Sequence, residues 1–311
     1  MYLSSASIRL LDRGLRWLSR LPGFRRTAKE LDRLLVRDVA ISLQCGVKVR
    51  GDLRRSEWRR MAGRGYHELD TEQFLVEYLR SGDVVVDVGA HIGMLTAVAA
   101  QLLGPSGAVY AFEVDPTNFL QLVKTIRRNS MNNVYPQNIA LSDVVGTSQF
   151  YRPEDSWGAF MINPRDCGLL SASESSTKTG IIELPTTTLD TFFQEHAVER
   201  LDLIKIDVDG PELAILRGGT HIIRGYKPAL IVETSYFNRK HSTFDETWTF
   251  LRDSGYEVYA AVRASKRVQR IHNPQDLPAD ISRSDSPSVN LYCCFPEVHA
   301  NRWQTLWFMK Q

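Results

Sequence analysis

Short apolar runs and stretches of helical periodicity alternate along the chain from about residue 70 onward. The apolar runs predict seven β-strands, at residues 84–88, 109–112, 134–141, 203–206, 229–232, 258–262 and 289–295. The periodic stretches predict helices at residues 71–79, 94–103, 116–129, 211–216 and 244–254. Asp115 is a candidate N-cap for the helix that starts at Pro116. Strands that alternate with helices form a mostly parallel sheet covered on both faces, which places the chain in the α/β class.

The first 66 residues follow a different pattern. Apolar side chains recur at helical spacing between residues 8 and 18 while arginines fall on another face, and this predicts a basic amphipathic helix that ends near Pro22. Residues 38–52 alternate like a β-hairpin. We favour packing of the helix on its own domain or on a second subunit of a homodimer. The alternative is peripheral contact of residues 5–21 with an anionic membrane surface.

These patterns divide the chain into three parts, which are a basic N-terminal extension (1–66), an α/β core (67–265), and a C-terminal loop, last sheet strand and tail (266–311). The core carries an insert at 142–200, in which we predict strands at 147–151 and 180–184. We expect the polar stretch 171–178 to be a flexible loop near the substrate entrance, because long connections inside compact domains are usually functional or mobile.

Composition narrows the class of protein. Of the 311 residues, 43% are hydrophobic and 24% are charged, as in an ordinary soluble globular protein. The net charge of +2 hides an asymmetry, since residues 1–66 carry 16 Lys and Arg against 6 Asp and Glu. The arginines lack the interleaved aromatic residues of a nucleic-acid-binding module, so we expect no nucleic-acid partner. We predict a cytoplasmic protein, because no apolar run reaches the length of a membrane span and no signal peptide is recognisable. The alternative location is a peripheral one, at the inner membrane surface.

The segment 83–93, DVVVDVGAHIG, carries the clearest chemical signal. A buried strand, a glycine turn and a helix form a nucleoside-binding corner in an open parallel sheet. The turn from Gly89 to Gly93 lacks the third glycine of the dinucleotide motif GxGxxG, which favours S-adenosyl-L-methionine, a nucleoside without phosphate, over a dinucleotide. Glu113, at the end of the next strand, is placed to accept both ribose hydroxyls, and Asp87 to pair with the methionine ammonium. The backbone around His91 and Gly93 would meet the methionine carboxylate.

The order of several segments resembles the FkbM-type S-adenosylmethionine-dependent methyltransferases. The segments that carry the resemblance are VDVGAHIG at 86–93, AFEVDP at 111–116, NIALSD at 138–143, TLD at 188–190, IKIDVDGPE at 204–212 and LIVE at 230–233. The resemblance implies a class I methyltransferase (Rossmann-like) fold with a seven-stranded sheet. It also implies methylation, mostly at oxygen, of sugars, glycolipids or polyketide-like compounds.

The resemblance also implies roles for single residues. It places Asp87 and Gly89 at the methionine part of the cofactor and Glu113 at the ribose. It places the segment with Ala140, Ser142 and Asp143 beside the adenine, and Glu68 in the cofactor region. The chain departs from the family pattern at two positions, with Asp209 where the family usually has Glu and Pro211 where it usually has Ala.

An acidic cluster follows the predicted strands at 203–206 and 229–232. We hypothesise that Asp207, which also borders the cofactor, is the catalytic base or a metal ligand, with Asp209 and Glu233 as partners. Mg²⁺ is the candidate metal because it prefers hard oxygen ligands. The competing interpretation, which we favour over the metal, is an ion network in which Lys205 and the acids brace the loop. His241 is a second candidate for contact with the acceptor.

Three further functions stay open at this point. The first keeps the cofactor but moves the methyl group to nitrogen, on a peptide or an amino sugar. The second is a non-catalytic methyltransferase-like binding protein that docks through its basic N-terminal helix. A nicotinamide dehydrogenase is the most distant, because the third glycine is missing. Each of the enzymatic alternatives takes a small-molecule or peptide acceptor that the sequence does not identify.

Overall fold

The computed structural model describes residues 5–21, 24, 27, 30–31, 34–35, 39–43, 46–54, 56–64, 68–151, 160–161, 181–208, 210–235, 244–262, 267–277 and 288–306. Its strands are β1 (Val39–Ser42), β2 (Lys48–Gly51), β3 (Val84–Val88), β4 (Ala108–Phe112), β5 (Val134–Gln137), β6 (Ala140–Leu141), β7 (Gly146–Tyr151), β8 (Phe160–Met161), β9 (Ile181–Thr187), β10 (Leu203–Ile206), β11 (Ala229–Ser235), β12 (Glu257–Val262), β13 (Arg267–Ile271) and β14 (Ser288–Cys294). Its α-helices are α1 (Ser5–Arg20), α2 (Ser56–Arg64), α3 (Leu69–Tyr78), α4 (Met94–Leu103), α5 (Pro116–Arg128), α6 (Leu189–Glu195), α7 (Glu212–Gly218), α8 (Thr220–Tyr226), α9 (Phe244–Asp253) and α10 (Pro296–Trp303).

A large mixed sheet organises the molecule. Its strand order is β13-β12-β14-β11-β10-β3-β4-β5, and the five strands from β11 to β5 are parallel. Strand β14 runs antiparallel between β11 and β12. The seven predicted strands all occur in this sheet. The order and the single reversed strand among them confirm the class I methyltransferase fold, with a short β13 added at the edge.

Helices cover both faces of the sheet, as predicted. Alternate residues of each strand enter one of two hydrophobic clusters. One cluster packs under α3, α4, α5 and α10, and the other under α6, α7, α8 and α9. Cys293 and Cys294, neighbours in β14, are both buried and enter different clusters, so their side chains point to opposite faces.

The N-terminal elements share the first of these clusters. The antiparallel hairpin of β1 and β2 confirms the prediction for residues 38–52. Its apolar residues Val39, Ile41 and Val49 are buried in the same cluster as Phe74 of α3 and Ala97 of α4. The side chain of Asn129, after α5, accepts a hydrogen bond from Lys48 N and donates one to Lys48 O. The described part of the extension therefore packs directly on the α/β core.

Two details of the large sheet differ from the prediction. The single strand expected over 134–141 is wrong, since β5 ends at Gln137 and β6 pairs with β9 in a second, four-stranded sheet. The break occurs because the Asn138 side chain turns to donate to Glu113 O at 2.7 Å and Val114 O at 3.2 Å. The second difference is the extra strand β13, whose sequence RVQRI lacks the apolar run that reveals a buried strand.

Within the insert, β7 and β9 pair antiparallel, close to the two predicted strands. The loop predicted at 171–178 lies outside the described residues. In the described part of the chain, no helix combines the length and the apolar character that crossing a bilayer requires.

Candidate functional site

The loop between β3 and α4 has a backbone that few residues can adopt. Gly89, His91 and Gly93 have φ angles of 78°, 53° and 84°, all in the left-handed region. A Cβ atom on Gly89 would lie 1.9 Å from the carbonyl oxygen of Asp207, and one on Gly93 would lie 2.6 Å from Leu122 Cδ1. Glycine at 89 therefore permits the loops after β3 and β10 to touch. The same loop is anchored to β4, because Gly89 N and Ala90 N both donate to Phe112 O.

Glu113 follows β4 directly and is held from two sides. Its Oε2 accepts from His91 N at 2.7 Å, and its Oε1 accepts from Asp115 N at 2.8 Å. The residue is only 6% exposed. Burial raises the pKa of Glu113 to about 7, although the two backbone hydrogen bonds and the nearby Lys205 ammonium lower it. Each carboxylate oxygen can accept a further hydrogen bond, so Glu113 is oriented but retains acceptor capacity.

Asp87, Lys205 and Asp207 form a charged group beside the glycine turn. Asp87 and Lys205 are register partners in the adjacent strands β3 and β10. The ammonium Nζ of Lys205 lies 3.3 Å from Asp87 Oδ1, 3.2 Å from Asp207 Oδ2 and 3.3 Å from Gly89 O. Burial lowers the pKa of Lys205, but the carboxylates of Asp207, Asp87 and Glu68 outweigh burial and hold that pKa above its usual range. The lysine is therefore a permanent cation between two carboxylates.

Two neighbours fix this group. Thr96, in the first turns of α4, donates from its hydroxyl to Asp87 Oδ2 at 2.5 Å. Glu68, just before α3, accepts from the hydroxyl of Thr71 at 2.9 Å. Thr71 in turn accepts from the side chain of Asn290 in β14, at 3.3 Å. Because the Glu68 carboxylate raises the pKa of Lys205, Glu68 lies near the charged group of Asp87, Lys205 and Asp207.

The other cofactor candidates lie along the loops after β4 and β5. Asp115 caps α5 as predicted, since its Oδ1 accepts from Thr117 N and Asn118 N. Ala140 and Ser142 are buried and Asp143 is exposed. The carbonyl oxygen of Ser142 would lie only 2.0 Å from a Cβ atom on Gly218, so this segment packs tightly on α7. The segment is thus held in place, which suits a wall of a binding cleft.

The site as a whole is acidic. The site contains one described lysine, Lys205, and four carboxylates. Lys205 contacts Asp87 and Asp207 and interacts electrostatically with Glu68 and Glu113. Such a site attracts a cationic ligand and repels a diphosphate.

Three positioning residues have no role in the sequence prediction. Thr96 and Asn290 are ordinary buried polar residues in sequence, and only the fold brings them to Asp87 and Thr71. Asn138 stands first in the segment NIALSD, so its place in that motif was the available signal. Its bonds to Glu113 O and Val114 O fix the strand end that carries Glu113.

The predicted catalytic and metal residues come together only in part. Asp207 is in the site, and Glu233 lies in β11, opposite Asn290 of β14. Asp209 and His241 lie outside the described residues. Across the described ranges, no three or more His, Cys, Asp or Glu side chains are arranged so that they could hold a metal ion. The contacts of Lys205 with Asp87 and Asp207 resemble the ion network that the sequence offers as the alternative to a metal site.

Comparison with known proteins identifies the family of the chain. The family model described as "Methyltransferase FkbM domain" matches residues 87–258, more than half of the chain. Hexuronic acid methyltransferase AglP of Haloferax volcanii is 27% identical over 167 residues, which cover 54% of this chain and 62% of that protein. The 31-O-demethyl-FK506 methyltransferase FkbM of Streptomyces tacrolimicus is 27% identical over 177 residues, which cover 49% of this chain and 66% of that protein. The match thus spans about two thirds or less of each relative.

Among solved structures, Methyltransferase FkbM from Methylobacillus flagellatus KT has a TM-score of 0.44 at 17% identity, covering 77% of this chain and 54% of that one. Aeropyrum pernix fibrillarin with bound S-adenosyl-L-methionine has a TM-score of 0.40 at 13% identity, covering 82% of each chain. The match of the family model covers the glycine turn, Glu113, the acids after β10 and Glu233 in β11. The predicted resemblance is confirmed, and the chain belongs to the FkbM family of methyltransferases.

Proposed function

We propose that this protein is an S-adenosylmethionine-dependent methyltransferase that methylates a hydroxyl group of a small molecule. The observation that carries the proposal is Glu113, a buried carboxylate held by two backbone N–H groups next to the glycine turn. An acid in this position, at the end of a strand beside a nucleoside-binding corner, suits the two hydroxyls of a ribose.

The charge of the site fits the same cofactor. S-adenosylmethionine carries a sulfonium and an ammonium against one carboxylate, so its net charge is positive. The site holds more acids than cations among the described residues. The loop with Gly89 allows close approach of a ligand to backbone, since glycine has no side chain there. A nicotinamide dinucleotide would instead bring a pyrophosphate against Asp87 and Asp207, which is unfavourable.

The residues would divide the work in the following way. Glu113 would hold the ribose, and Asp87 and Gly89 the methionine part. The bound cofactor would supply a methyl group attached to a positively charged sulfur. The sulfur would keep the electron pair of the carbon–sulfur bond when that bond breaks. Asp207 would accept the proton of the acceptor hydroxyl as its oxygen forms the bond to the methyl carbon. Lys205, at 3.2 Å from Asp207 Oδ2, would hold that carboxylate in position. Exact placement of acceptor oxygen and methyl group supplies the rest of the acceleration.

The acceptor class follows from the relatives. The relatives are named as methyltransferases of a hexuronic acid and of 31-O-demethyl-FK506. We therefore place the acceptor among sugars, glycolipids and polyketide-like compounds. Methylation of nitrogen and a purely binding function remain the alternatives, and a labelled-methyl assay separates them, because it reports the product and whether any forms.

Calorimetry tests the cofactor assignment. We expect the protein to bind S-adenosylmethionine and not NAD. Binding of NAD alone would overturn the assignment. The control variant Asp253→Asn changes an exposed carboxylate at the end of α9, so it should bind like wild type.

Turnover of an identified acceptor tests the role of Asp207. Asp207→Asn should leave the cofactor affinity within a few-fold and lower the turnover number by roughly a hundredfold or more. Unchanged turnover in this variant would remove Asp207 from catalysis. An equal loss of activity on chelation in wild type and variant would assign the proton transfer to a metal-assisted route and revive the Mg²⁺ hypothesis.

A further inference from the structure

Helix α1 has an inner face that packs on the protein. Ile8 is fully buried and Leu15 is nearly so, and both face the core. Asp12 is buried as well, with its carboxylate 3.4 Å from Arg59 Nε of α2. Gly63 of α2 approaches the backbone of Arg9 so closely that a Cβ atom there would lie 3.1 Å from Arg9 Cα. The stripe that the sequence pattern predicts is therefore the stripe that packs.

The outer face of α1 combines apolar and basic side chains. Leu10 is 70% exposed and Trp17 is 65% exposed. They stand two helical turns apart, so they lie on the same face. Arg13 and Arg20 have the same spacing, follow each apolar residue by three positions and are exposed as well. The result is a ladder of Leu10, Arg13, Trp17 and Arg20 along one exposed side of a 16-residue helix.

The exposed apolar character continues after α1. Phe24, Leu31 and Leu34 are 48%, 40% and 81% exposed. Large apolar side chains are normally exposed singly, whereas here five occur within 25 residues of one segment. The same 1–66 region carries the basic excess of the chain, while the remainder is net acidic. Apolar groups and positive charge are thus concentrated in one segment.

We propose that the outer face of α1, defined here as Leu10, Arg13, Trp17 and Arg20, docks on a bilayer that contains anionic lipids. Trp is well suited to the boundary between headgroups and acyl chains, and Leu adds buried apolar area. The two arginines are placed to meet lipid phosphates at the same depth, which gives the charge complementarity. A nucleic acid would be matched by the charge but not by an exposed Leu on the same ladder. The packed inner face anchors the helix, so docking needs no rearrangement of the core.

Vesicle co-sedimentation of the full chain tests the proposal. The probes are vesicles of phosphatidylglycerol with phosphatidylcholine, and vesicles of phosphatidylcholine alone. We expect binding to the mixed vesicles that weakens by at least about tenfold in Leu10→Ser/Trp17→Ser and in Arg13→Gln/Arg20→Gln. The matched controls are Leu120→Ser and Arg127→Gln, which change two exposed residues of α5. Both variants should bind the vesicles like wild type. Thermal unfolding verifies that every variant is folded.

Trp17 offers a second measurement. Lipids brominated on their acyl chains should quench part of the tryptophan fluorescence of wild type, and this part should disappear in Trp17→Phe while that variant still sediments. Equal sedimentation with both kinds of vesicle, or variants that bind like wild type, would overturn the proposal. The proposal would also be overturned if wild type did not bind vesicles but bound a mixed-sequence RNA or self-associated, and the ladder variants lost that binding or that self-association.

Discussion

Glu113 shows how backbone geometry turns an ordinary side chain into a site. The left-handed backbone at His91 aims its N–H at Glu113 Oε2, and Asp115 N meets the other oxygen. The sequence identifies Glu113 by its place at a strand end. It does not reveal that His91 contributes through its backbone N–H, because that contact exists only in the folded glycine turn.

Glu113 should make cofactor affinity depend on pH. Because its pKa is raised to about 7 by burial, the cofactor-free protein protonates this side chain as pH falls below 7, and the protonated form is a poorer acceptor for ribose hydroxyls. We expect the affinity for S-adenosylmethionine to fall between pH 8 and pH 6. Glu113→Gln should bind roughly tenfold to a hundredfold more weakly at pH 8, with little further change at pH 6. Calorimetry at both pH values measures this. A wild-type affinity that is equal at both would contradict the assignment of Glu113 to the ribose.

The same shift has an opposite consequence for stability. A carboxyl whose pKa rises from 4.5 to about 7 on folding binds its proton more tightly in the folded state. Its contribution to stability is complete below pH 4.5 and is lost as pH rises through about 7. Cofactor binding therefore favours the ionised form that folding alone disfavours.

Gly89 should not tolerate any side chain. Its φ of 78° and the 1.9 Å approach to Asp207 O leave no room for a Cβ atom. Gly89→Ala should lower the free energy of unfolding by more than about 1 kcal/mol and abolish cofactor binding, since the loops after β3 and β10 must separate. Gly225→Ala, on an exposed helical position with open space around it, is the control and should be neutral or slightly stabilising. Denaturant unfolding with calorimetry measures both effects, and a Gly89→Ala protein as stable as Gly225→Ala would contradict this account.

At the scale of elements, the buried strands of the central sheet are predictable and its edge strand β13 is not. The strands β3, β10 and β11 consist mostly of apolar residues, because both faces of a parallel sheet are covered. Strand β13 is polar because it lies at the sheet edge, so its sequence shows no apolar run even though it pairs with the preceding strand β12. Asn138 likewise divides β5 from β6 through bonds to residues 24 and 25 positions away. The ammonium of Lys205 belongs to the same class, since only strand register brings it to Asp87.

The cap of α5 is an element-scale feature that both sequence and structure specify. Asp115 accepts from two of the first N–H groups of the helix, and Pro116 follows it. Asp115→Ala should lower the free energy of unfolding by about 1 kcal/mol, because those N–H groups lose their acceptor. Asp253→Ala, which removes an exposed carboxylate at the end of α9, should change it by less than about 0.5 kcal/mol. Urea unfolding compares the two, and equal effects would show that Asp115 does not stabilise α5.

For the molecule as a whole, the two ends of the central sheet have different chemistry. The carboxyl ends of β3, β4 and β10 carry the acids of the site, next to a single described lysine. At the amino ends, Asp83 accepts from Arg200 Nη2 at 2.8 Å and from Arg302 Nη1 at 2.6 Å. Asp83 is fully buried, and Arg80 N donates to it as well. This network joins the start of β3 to the loop before β10 and to α10, at the end of the sheet that takes no part in the proposed reaction.

Asp83 should therefore be among the residues on which the stability of the whole fold depends most. Asp83→Asn keeps the shape but removes the charge that two guanidinium groups share, and we expect a loss of about 3 kcal/mol or more in the free energy of unfolding. Arg302→Gln alone should cost less, because Arg302 is partly exposed and Arg200 still pairs with Asp83. The double variant should be less destabilised than the sum of the two, since both remove the same ion pair. Urea unfolding of the four proteins measures this coupling. Because the network lies at the opposite end of the strands from Glu113, the affinity of each folded variant for S-adenosylmethionine should equal that of wild type. Additive effects would show that Asp83 and Arg302 do not stabilise the fold through the same ion pair. A variant that loses affinity without losing stability would show that the two ends of the sheet are not separate in function.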